Sequence, residues 1–285
     1  MWRHLADPVY LYRPYQILRR LGYMLKGADA REEASLSWGG TLMVLGEEKN
    51  GRAILHRGLM ELVVTEACFR LAQPGTLAVD GGANIGHMTS ALAHAMREGE
   101  IWAFEPHPVI FSILSENGSR LKKEVPSVQV ETRRVALSGK TGTAEMYVPP
   151  RWKENAGIAS LEEKSRAGSV KVSTGKLDEA IEGPIHLLKL DVEGHEKDVL
   201  KGAMEHLEKK TINHVLFEDH QGPGSDVFRL LERKGYRIFG IEKRLTGPVL
   251  TERGPEGTYN YVATRRHRQC LSAFEPNGWK SLQIW

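Results

Sequence analysis

The sequence predicts an α/β fold in which a doubly wound, mostly parallel sheet carries helices on both faces. Short apolar runs alternate with helical patterns through the middle of the chain. One apolar run, at 77–80, leads directly into a glycine-rich turn and a helical pattern, and another, at 185–191, ends in acidic residues. With 285 residues, the chain is long enough to bury the core of one large α/β domain.

The predicted elements follow the glycine-rich turn in a regular order. The first part comprises helix 88–96, strand 101–105, helix 109–123 and strand 128–135. Residues 142–174 depart from the alternation, because their glycines and prolines favour a β-hairpin and a loop over a crossover helix. The alternation then resumes with strand 185–191, helix 195–206, strand 213–219, helix 225–234 and strands near 236–241 and 259–264.

The first part of the chain contains a short amphipathic pattern, since Ile17, Leu18, Leu21, Met24 and Leu25 recur at helical spacing. We expect this helix to pack on the core or on a partner subunit, and attachment to a membrane surface is the less favoured alternative. The segment lacks an apolar run long enough for a signal peptide or a membrane span. The sequence therefore predicts a cytoplasmic protein.

Composition narrows the class of protein further. The chain has only two cysteines, Cys68 and Cys270, which argues against a disulfide framework or a zinc site built from cysteines. The formal net charge is +3, with both signs well mixed along the chain. Such a balance does not favour a nucleic-acid partner, although it does not exclude one.

The glycine-rich turn contains the first group of candidate binding residues. Asp80, Gly82, Asn84 and Gly86 follow one another at two-residue steps, unlike the G-x-G-x-x-G pattern of dinucleotide folds. Glycine lets the backbone approach a ligand closely, and asparagine tolerates a positive φ. Glu105 ends the next predicted strand, where its carboxylate could accept hydrogen bonds from both hydroxyls of a ribose. The two acids fit S-adenosylmethionine better than NAD, and an ordinary strand-to-helix turn is the alternative.

The second group follows the strand at 185–191. This strand is apolar except for Lys189, and it ends in Asp191, with Glu193 close behind. The next strand ends in Glu218, followed after one residue by His220. Because ligands bind beyond the carboxyl ends of parallel strands, we expect these side chains to share one crevice with Asp80 and Glu105.

Five motifs occur in order between Arg57 and Gly240: V-D-G-G-A-N-I-G-H, A-F-E-P-H-P, V-A-L-S-G, L-D-E-A-I and L-K-L-D-V-E-G-H-E-K-D-V-L-K-G-A. In these motifs the chain resembles the FkbM-type S-adenosylmethionine-dependent methyltransferases. The resemblance implies a class I methyltransferase fold, Rossmann-like and doubly wound, with a seven-stranded, mostly parallel sheet. It also implies O-methylation of a hydroxyl on a sugar or natural-product small molecule. The expected organisation is an N-terminal helical extension at 1–56, a methyltransferase domain at 57–264 and a C-terminal tail at 265–285.

The resemblance also implies roles for individual residues. The turn formed by Asp80, Gly82, Asn84 and Gly86 is expected to line the methionine and ribose parts of the cofactor, and Glu105 to hold the ribose hydroxyls. Val135 and Ala136 are expected to flank the adenine. Asp191 is expected near the cofactor's amino group and the acceptor.

A hydroxyl acceptor must lose its proton around the transition state, so the site needs a base. We predict that His220 is this base, because imidazole titrates near neutral pH, and His195 is the second candidate. His195 is equally well interpreted as a surface residue that begins a helix. Lys189 could stabilise a developing alkoxide, or it could merely pair with Asp191 or Glu218.

Three other hypotheses stay open at this point. A divalent metal on Asp191, Glu193, Glu218 and His220 is not favoured, since binding of an amine and a ribose explains the same acids. An RNA ribose methyltransferase would use the same cofactor motifs, but we would expect a basic and aromatic stripe beside its site. A non-catalytic binding protein of the same fold is the third alternative.

The region at 149–170 is predicted to be a mobile lid over the crevice, because its prolines and glycines bracket a stretch without a core pattern. Asn155 and Ser160 could there contact a sugar-like acceptor. The sequence leaves the identity of the acceptor and the oligomeric state, with a homo-oligomer among the options, undetermined.

Overall fold

The computed structural model describes residues 7–26, 29–148, 161, 168–252, 254–255 and 257–283. Within this part of the chain, the helices are α1 (Pro8–Tyr12), α2 (Tyr15–Lys26), α3 (Lys49–Arg57), α4 (Leu62–Leu71), α5 (His87–Met96), α6 (Pro108–Glu124), α7 (Leu177–Ala180), α8 (Glu196–Lys201), α9 (Met204–Lys209), α10 (Asp226–Arg233) and α11 (His267–Phe274). The strands are β1 (Glu32–Ser35), β2 (Thr41–Val44), β3 (Thr76–Gly81), β4 (Gly99–Phe104), β5 (Val128–Arg133), β6 (Ala136–Leu137), β7 (Gly142–Tyr147), β8 (Ser169–Gly175), β9 (Ile185–Leu190), β10 (Ile212–Glu218), β11 (Arg237–Arg244), β12 (Gly247–Glu252) and β13 (Asn260–Thr264). A 3-10 helix covers Lys280–Leu282.

The central sheet confirms the predicted α/β class. Among the described residues it has eight strands in the order β12-β11-β13-β10-β9-β3-β4-β5. The run from β5 to β10 is parallel throughout, whereas β13 is antiparallel to both of its neighbours, β10 and β11. The first seven strands counted from β5 therefore have the expected mostly parallel arrangement. The eighth, β12, was not predicted and forms a hairpin with β11.

Successive side chains of the central strands point to opposite faces of the sheet and build two separate cores. Ala78 and Leu187 belong to one hydrophobic cluster, which also contains residues of α4, α5 and α6. The adjacent residues, Val79 and Leu188, belong to a second cluster with residues of α8, α9 and α10. Since both faces are covered by helices, the carboxyl edge of the parallel strands remains the place where a ligand can enter.

One predicted helix is interrupted in the structure, and the region 142–174 follows the prediction. The helix expected at 195–206 is divided into α8 and α9 at Gly202, where a side chain would place its Cβ only 2.0 Å from the carbonyl oxygen of Ser138. The prediction of one continuous helix was therefore wrong. In the region 142–174, the described residues form an antiparallel pair of strands, β7 and β8, as expected.

The face of α2 that packs against the rest of the chain is not the face that carries its leucines. The helix lies against α3, with Gln16 buried and Tyr23 packed against the core. Leu18 and Leu25 are 72% and 91% exposed, so these leucines do not pack on the core, and their packing on a partner subunit stays a prediction. Gln16 and Tyr23 are two turns apart on one side of the helix, and the leucines are rotated away from that side. None of the described helices is long and apolar enough to cross a membrane.

The described parts of both chain ends share the core of the central sheet. Leu36 and Trp38, from the first 56 residues, and Trp279, from the last 21, belong to the same hydrophobic cluster as Ala78. The tail is also held by a buried ion pair of α4: Arg70 donates to the carbonyl oxygen of Gly278 at 2.8 Å, and Glu66 accepts from the N–H of Ser281 at 2.8 Å. The domain boundaries at 56 and 264 stay predictions.

Candidate active site

A cleft of about 230 Å³, called here the central cleft, opens at the carboxyl ends of β3, β4 and β9. Four stretches of chain contribute most of its lining: residues 60–61, 82–88, 135–137 and 189–195. The position agrees with the rule that ligands of open α/β sheets bind beyond the carboxyl ends of the strands.

The turn after β3 requires glycine for reasons of space and of backbone conformation. Gly82 has φ +71°, and a Cβ there would lie 1.9 Å from the carbonyl oxygen of Asp191. Asn84 has φ +50°, and its Oδ1 accepts a hydrogen bond from the N–H of Ile85 at 2.8 Å. Gly86 has φ +92° at the start of α5. The alternating motif thus encodes a backbone path that other residues would strain.

Glu105 connects this turn with the end of β4. Its carboxyl is only 6% exposed, with Oε1 accepting from the N–H of His107 at 2.8 Å and Oε2 from the N–H of Asn84 at 3.0 Å. Burial raises the pKa of Glu105 to about 7, although the two N–H donors act in the opposite direction. Each carboxylate oxygen has a second lone pair, so Glu105 can accept further hydrogen bonds from a ligand in the cleft.

Asp80 and Lys189 form a buried ion pair behind the turn. The Nζ of Lys189 lies 3.0 Å from Oδ1 of Asp80 and donates to the carbonyl oxygen of Gly82 at 2.9 Å, while Thr89 Oγ1 donates to Oδ2 of Asp80 at 2.7 Å. Burial lowers the pKa of Lys189, but the carboxylates of Asp80 and then Asp191 raise it above its ordinary value overall.

This pair has consequences for two predicted roles. Lys189 has the ion-pairing role considered from the sequence, although its closest carboxylate belongs to Asp80 and Asp191 is 3.9 Å away. Lys189 contributes to the lining of the central cleft, whereas Asp80 supports the turn from behind and is not among the lining residues. A direct contact between Asp80 and a ligand stays a prediction.

Three of the predicted acids meet at one edge of the central cleft. Asp191, Glu193 and Glu218 line both this cleft and a neighbouring depression, called here the outer groove, which also contains Asp219 and His220. Burial and then repulsion from Asp191 raise the pKa of Glu218. The expected convergence of acids from β9 and β10 is therefore present in the structure.

His220 lies outside the central cleft. Its side chain is 73% exposed, its Nε2 is 3.0 Å from Oε1 of Glu218, and its ring lies 4.7 Å from that of Tyr259. After β10, Asp219 accepts hydrogen bonds from the N–H groups of Gln221 and Gly222, which turns the chain toward the outer groove. The assignment of His220 as the base stays a prediction.

His195, unlike His220, lines the central cleft. It begins α8, and its Nε2 lies 3.0 Å from Oγ of Ser138, with Nδ1 3.8 Å from Asp198. These contacts orient the ring, which is compatible with both interpretations of this histidine.

Part of the lining of the central cleft is apolar. Val135 and Ala136 line it together with Phe104, Met146 and Leu161. These side chains are suited to the faces of a flat ring, and the predicted adenine position at Val135 and Ala136 stays a prediction. Most of the predicted lid at 149–170, including Asn155 and Ser160, lies outside the described residues, and the lid stays a prediction.

The residues of the central cleft that were not predicted from the sequence include Glu61 and His87. Glu61 precedes α4, and His87 begins α5. His87 closes the first motif, which could have identified it, whereas Glu61 lies outside the quoted motifs. Over the described ranges, no group of three or more His, Cys, Asp or Glu residues is arranged to hold a metal ion.

Comparisons with known proteins agree with this geometry. The model of the methyltransferase FkbM domain matches residues 80–238, more than half of the chain. The chain is 30% identical over 214 residues to "Methyltransferase sdnD" of Sordaria araneosa, covering 62% of this chain and 80% of that protein. It is 34% identical over 157 residues to "Hexuronic acid methyltransferase AglP" of Haloferax volcanii, covering 53% of this chain and 59% of that protein.

Among solved structures, the chain is similar to a methyltransferase FkbM from Methylobacillus flagellatus KT, with 16% identity and a TM-score of 0.45. That match covers 74% of this chain and 52% of the other. From the domain match and the curated relatives, the chain is a methyltransferase that belongs to the FkbM family.

Proposed function

We propose that this methyltransferase uses S-adenosylmethionine to methylate a hydroxyl group on a sugar or natural-product small molecule. The observation that carries the proposal is the carboxyl of Glu105, which is buried at the end of β4 and held by the N–H groups of Asn84 and His107. A carboxylate fixed in this way beside a glycine turn is suited to accept hydrogen bonds from the two hydroxyls of a ribose.

The remaining residues of the central cleft fit the rest of this cofactor. Val135 and Ala136 offer an apolar surface for the adenine, and Asp191 offers a carboxylate for the amino group. When bound, S-adenosylmethionine supplies a methyl group that its sulfonium has already made electrophilic. Most of the work left to the protein is therefore to position the acceptor oxygen and to exclude water.

The charge of the acceptor side argues against an acceptor that carries phosphate groups. Glu61, Asp191, Glu193 and Glu218 all line the central cleft, where carboxylates accept hydrogen bonds from hydroxyls and repel phosphate groups. This arrangement favours a polyhydroxylated small molecule over the ribose of an RNA strand. The hexuronic acid methyltransferase among the relatives supports a sugar-like acceptor.

Calorimetry tests the cofactor assignment directly. We expect micromolar-range binding of S-adenosylmethionine or of its demethylated product, and no comparable binding of NAD. Binding of NAD alone would overturn the assignment.

A methyl-transfer assay tests the acceptor class. Cofactor with a deuterated methyl group is supplied together with methyl glycosides, hexuronic acids or short RNA, and products are analysed by mass spectrometry. Transfer to a hydroxyl of a small molecule is the expected result, whereas transfer only to RNA would favour the nucleic-acid alternative. Cofactor binding without transfer to any acceptor class would favour the non-catalytic alternative.

Chelation tests the metal alternative. Because the sulfonium is already activated, we expect full activity after exhaustive treatment with EDTA. A loss of activity that added magnesium or manganese restores would require a metal site.

A further inference from the structure

Three hydrogen bonds hold the chain in place just before α4. The N–H of Met60 donates to Nε2 of His87 at 3.2 Å, and the carbonyl oxygen of Met60 accepts from Oγ1 of Thr65 at 2.8 Å. The carbonyl oxygen of Glu61 accepts from the N–H of Thr65 at 2.9 Å. Between these bonds, Glu61 adopts the left-handed conformation, with φ +43° and ψ +61°, which is uncommon for a residue other than glycine.

The side chain of Glu61 does not perform the usual task of an acid at a helix start. It precedes α4 but makes no capping hydrogen bond to the N–H groups of the first turn. It lines the central cleft, and it also lines a smaller pocket between β9 and β10 together with Lys189, Asp191 and Glu218. The constrained backbone therefore presents a carboxyl to the side of the cleft where the acceptor is expected.

Charged groups from the neighbouring strand ends act on this carboxyl. Glu61 is exposed to solvent at the cleft, and partial burial of its carboxyl is the first cause that raises its pKa to about 7. Repulsion from Asp191, Glu218 and Glu193 raises the pKa further, and Lys189 opposes them. A carboxylate with this pKa is a stronger base than an ordinary glutamate and is ionised above neutral pH.

His87 supports this arrangement in its neutral form. Burial, followed by the charges of Lys189 and Arg57, lowers the pKa of His87 to about 3. Neutral imidazole has one nitrogen without a proton, and here Nε2 accepts from Met60. Since His87 immediately follows the glycine turn, one hydrogen bond to its side chain joins that turn to the segment that carries Glu61.

We propose that Glu61 is the general base of the methyl transfer, an inference that rests on the proposed function. The acceptor oxygen gives its proton to the carboxylate of Glu61 and forms a bond to the methyl carbon with a lone pair. The bond between that carbon and the sulfonium sulfur breaks, and its electron pair stays on sulfur. Glu61 then releases the proton to solvent, and the products are a methyl ether and the demethylated thioether cofactor.

The principal test compares Glu61→Gln with wild type in the full chain, using S-adenosylmethionine and a hydroxyl acceptor that the wild type methylates. We expect kcat to fall by about 10²–10⁴-fold, as is usual when a general base is lost, while the Kd for the cofactor changes little. The rise of wild-type kcat through about pH 7 should disappear in the variant. Glu232→Gln, which changes an exposed acid on α10, is the matched control and should keep wild-type kcat.

A second variant separates catalysis from folding. Glu61→Gly removes the carboxyl but suits the left-handed backbone, so we expect a melting temperature no lower than that of the wild type. Its kcat should be as low as that of Glu61→Gln. A Glu61→Gly variant with wild-type kcat would overturn the assignment.

An acceptor-free readout is the infrared band of a protonated carboxylic acid. Glu61 and Glu105 both have a pKa raised to about 7, so we expect a wild-type band that is lost as pH rises through about 7 and is weaker by the contribution of one carboxyl in Glu61→Gln. A band of equal intensity and titration in wild type and Glu61→Gln would overturn the basic role of Glu61, even before an acceptor is identified.

The outcomes distinguish this inference from the proposed function. Failure of the wild type to bind S-adenosylmethionine or to transfer its methyl group counts against the proposed function. An active wild type whose Glu61→Gln variant keeps normal kcat counts against Glu61 alone. A large loss in His220→Ala without a loss in Glu61→Gln would assign the base to His220 instead.

Discussion

The two sides of the central cleft are built differently. On the side proposed to bind the cofactor, the turn at 82–86 and Glu105 are held by backbone hydrogen bonds, and Asp80 behind them is paired with Lys189. On the side proposed to bind the acceptor, Glu61 and Glu218 face other acids, and the pKa of each is raised. On the first side, Lys189 neutralises the charge of Asp80, and backbone N–H groups fix Glu105. The second side keeps an excess of negative charge.

The contrast shows how one cleft can combine tight binding with proton transfer. Preorganised groups lose little entropy when a ligand binds, which suits recognition of a cofactor. Acids held close together change protonation near neutral pH, which suits removal of a proton. Changes on the cofactor side should therefore affect stability and binding, and changes on the acceptor side should affect turnover.

The largest expected effect on stability comes from Lys189→Met. This change leaves Asp80 buried without its cation, and removal of one partner of a buried pair costs about 3–5 kcal/mol. Urea denaturation measures the loss. Lys197→Met, in the exposed pair with Asp226, is the control and should cost much less, because solvent screens an exposed pair. Equal losses for the two variants would contradict the structural role of Lys189.

The next effect concerns Gly82→Ala, which should destabilise the protein by about 2–4 kcal/mol through backbone strain and a clash with Asp191. Gly183 also has a positive φ, +85°, but open space surrounds its missing Cβ. Gly183→Ala should therefore cost only about 1 kcal/mol, the contribution of the backbone conformation alone. Thermal or chemical unfolding of both variants checks the difference, and similar losses would mean that the close approach to Asp191 is unimportant.

A smaller effect is expected for Glu105→Ala, which should weaken cofactor binding by about 1–3 kcal/mol, the usual contribution of charge-assisted hydrogen bonds. Glu105→Gln keeps the shape of the side chain and should fall between the alanine variant and wild type. Calorimetry measures both affinities. An unchanged affinity in the alanine variant would refute the contact with ribose.

The smallest effect is a pH dependence of cofactor binding. Because burial raises the pKa of Glu105 to about 7, its carboxylate form fills as pH rises, and binding should strengthen by about tenfold between about pH 6 and pH 8. The free energy of unfolding depends on pH in the opposite direction. The folded-state pKa lies above the unfolded value of about 4.3, so the contribution of Glu105 to stability decreases from about pH 4 to pH 7. Glu105→Gln should remove the pH dependence of cofactor binding and weaken that of stability, to which Glu61 also contributes. Cofactor binding that is independent of pH in the wild type would contradict the first expectation.

Much of the fold was predictable because its signals are local. The alternation of strands and helices between 77 and 241 follows from short apolar patterns and from turns with glycine, which depend on neighbouring residues. The break at Gly202 and the outward-facing leucines of α2 escaped prediction. Both depend on what another part of the chain does nearby, namely the carbonyl group of Ser138 and the docking of α2 on α3.

The same distinction applies to the site. The strand-end acids Glu105, Asp191 and Glu218 could be located from the residues alone, since parallel strands bring their carboxyl ends to one edge. Glu61 carries no such signal, because it comes before the first strand of the parallel sheet and reaches the cleft through the packing of α4 on α5 and the bond between Met60 and His87. His220 lies in the outer groove because Asp219 turns the chain there. Local motifs encode backbone turns and strand ends, but which side chains share a cleft depends on contacts between residues distant in sequence.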